Sequence, residues 1–165
     1  MSQGIHQWGP KISVQSPVLH ESVPAINDSH IYPPLTVYAQ NPWPFEAPAL
    51  TLPPGYGFYI LKAVSNGWTD NRDAGQRPLE GFDHPDEDEQ FPPALRAALV
   101  GVFGEGGTTY VASYTPQIDR SRGGNAYYAN RGGSQRIYYW LMNDRHYGDN
   151  DGSATVTFAV FKLEV

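Results

Sequence analysis

"SATVTFAVFKLEV", residues 153–165, alternates as a half-buried strand must: Val156, Phe158 and Val160 fall on one face, Thr155 and Thr157 on the other. Similar short runs of β-branched and aromatic residues precede it. They are "LTVYAQ" (35–40), "GFYILKAV" (57–64), "AALVGVFG" (97–104), "TTYVASY" (108–114) and "QRIYYWLM" (135–142). The chain holds 17 glycines and 15 prolines, most of them between these runs, and only 17% of residues are charged. Glycine and proline cost a helix interior about 1 and 3 kcal/mol relative to alanine. The pattern is that of an all-β sandwich or barrel. One stretch, "PPALRAAL" (92–99), predicts a single helical turn with proline leading.

A chain of 165 residues makes one domain, burying roughly 70% of the surface its unfolded form exposes. Residues 1–35 carry five prolines and no periodicity. They read as a Pro-rich N-terminal extension running along a body at 36–165, with a strand inside "KISVQS" (11–16). The stretch 65–92 is polar, acidic and glycine-containing, and reads as a long loop. A net charge of −6 argues against nucleic-acid and anionic-membrane partners, which need a basic face. Without cysteine there is no disulfide framework and no thiolate metal site. No apolar run reaches the roughly 18 residues that membrane insertion needs. The N-terminus lacks a basic-then-apolar signal pattern, so the expectation is the producer's cytoplasm or release by a non-standard route. No phosphate loop or Gly-x-Ser-x-Gly is present.

Just before the last strand lies "NDRHYGDNDGS" (143–153), which holds Asp144, Asp149, Asp151, Asn143 and Asn150. So many oxygens in one turn suit a hard cation, since calcium takes roughly 6–8 oxygen ligands in irregular geometry. Asp, Asn and Gly are equally the residues of an ordinary hairpin turn. An EF-hand loop is excluded, because the twelfth residue from Asp149 is Val160 rather than Glu. A second acidic cluster, "LEGFDHPDEDEQ" (79–90), reads mainly as a solvated charge run. Within it, His84 is stiffened by the proline that follows and can hydrogen-bond a polar ligand.

Taken in order, "LPPGYGFYILKAVSNGW" (52–68), "DHPD" (83–86), "ALVGVFG" (98–104), "YYWLMND" (138–144) and "YGDNDGSATVTF" (147–158) resemble the small calcium-dependent, galactose-binding bacterial lectins of the LecA-like family. The resemblance runs from about residue 36 to the C-terminus and implies a jelly-roll-like β-sandwich with one Ca2+ at its end. It implies Asp144, Asp149 and Asn150 as side-chain ligands and the carbonyls of Asn66 and His146 as backbone ligands. Hydroxyls of a galactose-terminated carbohydrate would complete the calcium shell. Asp144, Asp149 and Asn150 would then touch the sugar as well, with His84 on its primary hydroxyl and Glu87 where the family has glutamine.

This chain departs from the family's pattern in places. Asp144 and Asp149 are five apart, a loop two residues shorter than the family's, which leaves the carbonyl ligand open to shift. Asp149 replaces an asparagine and adds a charge that should tighten calcium. Glu87, when ionised, only accepts hydrogen bonds. Trp68 is open to two readings, stacking on a sugar or packing beneath the loop. Trp140 reads as core, and Trp8 and Trp43 as pins for proline-rich chain.

A lectin of this kind is not an enzyme, and the sequence leaves room for a homo-oligomer. The alternatives are an interaction or toxin-associated module with a purely structural calcium, and a glycoside hydrolase. The hydrolase would need two carboxyls flanking a bond, one with a raised pKa.

Overall fold

The computed structural model describes residues 14–15, 27–41, 47–83, 89–91, 94–114 and 128–163. Ten strands lie among them: β1 Val14–Gln15, β2 Asn27–Ile31, β3 Leu35–Tyr38, β4 Ala49–Leu52, β5 Tyr56–Thr69, β6 Leu99–Glu105, β7 Thr108–Ser113, β8 Tyr128–Ala129, β9 Arg136–Met142 and β10 Asp151–Lys162. They form two sheets. The first has the order β1-β7-β6-β9-β4, and the second β2-β10-β5-β8, with β3 also on β10. All neighbours are antiparallel except β1, which runs parallel to β7. The protein is an all-β sandwich, as the alternation predicts.

Period-2 patterning builds the core. From β10, Val156, Phe158 and Val160 point between the sheets, joined by Tyr138, Trp140 and Met142 from β9. Phe58 of β5 sits at the centre, edge-on to Tyr138 (5.0 Å), Phe158 (5.5 Å) and Trp140 (5.9 Å). That geometry sets the positive edge of one ring against the negative face of the next. Gly101 of β6 makes room for this cluster, since a Cβ there would lie 2.7 Å from the Trp140 ring. Trp140 is core, as expected. On the outer side of the first sheet, Val100, Val102, Val111 and Leu141 are covered by Phe91 and Ala94. This cover fixes the chain that follows the acidic cluster.

The structure departs from the sequence reading in several places. The strand expected at 57–64 runs on to Thr69, so the loop begins five residues later than 65. Two bulges let β5 keep step with β10. Gly67 faces Ser153 while Ser65 faces Ala154, and the extra residue is Asn66; Leu61 plays the same part between Ile60 and Lys62. The helical turn expected in 92–99 is absent from residues 94–98. There Arg96 bridges to Phe82, and Ala97 is held at φ 61° by its N–H bond to the Asn143 carbonyl (2.9 Å). A strand is present at Val14–Gln15, inside the stretch where one was expected. Trp8 and Trp43 lie outside the described residues.

Candidate metal centre

The chain leaving β9 and entering β10 makes the oxygen-rich turn, closed by one turn of 3-10 helix at Tyr147–Asp149. Its side chains divide into structural braces and buried oxygens left without a hydrogen-bond partner among the described residues.

Asn143 is a brace. Its Oδ1 accepts the Phe91 N–H at 2.8 Å, and its Nδ2 donates to the carbonyls of Ala94 and Leu95, each at 2.9 Å. Both amide hydrogens are spent and the oxygen already holds a backbone N–H, so Asn143 serves the fold. Tyr147 is buried and donates its hydroxyl to Gln90 Oε1. Together these two residues tie the segment after the acidic cluster to the turn.

Asp144 and Asn150 are different. Asp144 is 1% exposed, and its Oδ1 accepts the His146 N–H at 3.1 Å, while its Oδ2 is buried without a hydrogen-bond partner among the described residues. Burial pushes its carboxyl up to about 7; the His146 bond and the nearby Arg96 oppose the rise, and the charges of Asp70 and Asp149 add to it. Asn150 is 0% exposed. Its Nδ2 donates to the Ala39 carbonyl at 2.9 Å, which can only accept and so fixes which way the amide faces. Its Oδ1 is then left buried and, among the described residues, unpartnered. Two orphaned buried oxygens in one turn are unusual, because buried polar atoms are nearly always satisfied.

Asp149 is half-exposed, with its Oδ1 3.2 Å from His146 Nδ1. Asp151 is exposed and has joined the ladder opposite Thr69. Asn66 is exposed at its bulge, beside Gly67. There β5 and β10 come so close that a Cβ on Gly152 would overlap the Gly67 carbonyl and the Trp68 nitrogen. Gly152 also has φ 81°, so the entry to β10 needs glycine twice over.

Trp68 is corrected. It is 0% exposed, belongs to the central core, and donates its indole N–H to the Ala97 carbonyl at 2.8 Å. A ring sealed under the loop cannot stack on a sugar. His84 and Glu87 lie outside the described residues.

Sequence reasoning missed two groups around the turn. Asp70, fully buried, accepts a hydrogen bond from Arg77 Nε and forms an ion pair with Arg96 Nε, each at 2.7 Å. Arg72 donates its backbone N–H to the Asp149 carbonyl (3.0 Å) and its guanidinium to the Gly148 carbonyl (2.6 Å). No periodicity marks these residues; the only cue is Arg72 and Arg77 within the otherwise acidic stretch 65–92.

Among the described residues no three His, Asp or Glu side chains gather closely enough to hold a metal by themselves. Any cation here would draw on amide and carbonyl oxygens as well. Searched against protein families, curated proteins and solved structures, the chain matches none of them.

Proposed function

We propose that the protein is a calcium-dependent carbohydrate-binding protein, a lectin for galactose-type sugars, and not an enzyme. One observation carries the reading. Asp144 Oδ2 and Asn150 Oδ1, six residues apart in one turn, are both buried and both lack a partner among the described residues. A carboxylate and an amide oxygen left bare in this way are the donors a hard cation takes. Asp149 would add a second carboxylate, and the resemblance supplies Asn66 and His146 as carbonyl donors. A bound calcium would offer an electrophilic anchor for vicinal hydroxyls, and half-exposed Asp149 is the group able to meet them from the solvent side.

A second reading is a calcium that only braces the turn. It is favoured by the sealing of Asp144 and Asn150 from solvent, at 1% and 0% exposure, and by the loss of Trp68 as a stacking platform. Calorimetric titration with calcium, then a glycan array with and without chelator, separates the two. Galactoside binding that disappears in chelator supports the lectin. Calcium binding without glycan binding supports the brace, and neither one sinks both readings.

A further inference from the structure

We propose that Arg72 is a positioning residue for the calcium turn, holding Gly148 and Asp149 in the arrangement that takes the cation; this rests on the calcium reading above. Two neighbouring carbonyls of the turn are gripped by one residue, Gly148 by the guanidinium at 2.6 Å and Asp149 by the backbone N–H at 3.0 Å. The arm that carries Arg72 is braced internally. The Thr69 hydroxyl accepts the Asn71 N–H at 3.1 Å and donates to the Gly75 carbonyl at 2.5 Å. Asn71 Oδ1 accepts the Asp73 N–H at 2.9 Å, and the Arg77 N–H returns to the Trp68 carbonyl at 2.8 Å. Arg77 also pairs with buried Asp70. A stiff arm gripping two carbonyls restricts the backbone on which Asp149 and Asn150 stand, so less freedom remains to be lost when a cation binds.

The guanidinium is exposed, so removing it takes little buried surface from the fold. Its charge works against a cation nearby, so a purely electrostatic role and a positioning role predict opposite signs. Calcium titration of the full chain, beside melting in chelator, reads the difference. Arg72→Ala should weaken calcium binding at least tenfold, despite removing a positive charge, with the chelator melting temperature unchanged; Arg72→Lys should recover part of the loss. Calcium bound as tightly by Arg72→Ala as by the parent, or more tightly, overturns the proposal. A chelator melting temperature that falls in step with affinity also overturns it, by making Arg72 a fold element. A parent protein that binds no calcium overturns both the calcium reading and this one.

Discussion

Trp68 gives its indole hydrogen to the carbonyl of Ala97 across 2.8 Å, and Ala97 is the one described residue other than glycine with a positive φ. The left-handed conformation costs an alanine roughly 1–2 kcal/mol. It persists here because Trp68 holds the carbonyl and Asn143 the amide. Trp68→Phe should therefore lose more than ring volume. We expect a destabilisation of about 2–4 kcal/mol by denaturant melting, from a smaller core side chain and an orphaned carbonyl. A loss below about 0.5 kcal/mol would instead match a surface position.

Asp144 makes the metal-free protein sensitive to pH in an uncommon direction. Its carboxyl titrates near 7 when folded and near 3.8 when unfolded. Between those values the folded chain holds a proton that the unfolded chain has released. Stability without calcium should fall as pH rises from about 4 to 7, by an amount on the order of 4 kcal/mol, and level off above. Chelator melts across that window check this; a curve that rises throughout would contradict it.

On the calcium reading proposed above, the cation and that proton would compete for one carboxylate. Apparent calcium affinity should drop about tenfold for each pH unit below 7, with close to one proton released per calcium bound at pH 6. Calorimetry in buffers of different ionisation enthalpy measures the release directly. Affinity unchanged between pH 7 and pH 5 would separate Asp144 from the metal.

Removing the charge while keeping the shape splits the two roles of the same side chain. Asp144→Asn should raise the chelator stability at pH 7.5 by about 1–3 kcal/mol, since the cost of a buried charge outweighs that of a buried amide. At pH 4.5 most of the gain should be gone, because the folded carboxyl is then already neutral and only its partial ionisation in the unfolded chain is left. Calcium binding should be lost at both. Gain at neutral pH with calcium binding intact would refute the ligand role.

Asn143→Ala removes one buried side chain that satisfies three backbone groups, at Phe91, Ala94 and Leu95. A cost of about 3 kcal/mol or more is expected. Hydrogen exchange should speed up at the Phe91 amide before it does in β9. Uniform acceleration across the sheets would mean the brace is global rather than local.

The strands were legible wherever burial imposed an alternation, as in 153–163, and β9 shows Tyr138, Trp140 and Met142 inward and Leu141 outward. The short strands β2, β4 and β8 were not, because two to five residues carry too little periodicity to register. Asp144 and Asn150 stood out by residue type alone. What set them apart from Asn143 in the same turn was the presence of partners elsewhere in the chain: Ala94 and Leu95 for one amide, Ala39 for the other. Composition carries no trace of such long-range commitments. Trp68 was ambiguous for the same reason, since only the fold decides whether a ring at a strand's end faces in or out.

Within the second sheet, β2 and β3 never pair with β5; each meets only β10, which runs between them. The first half of the chain is thus an open slot that a much later segment must fill. Such non-local pairing places folding on the slow side, milliseconds to seconds. A fragment ending before Asp151 would expose two facing strand edges at once, and unpaired edges recruit foreign strands. The same vacancy is an opportunity: a chain truncated there, given a peptide of residues 151–162 in trans, is a natural two-piece reassembly system.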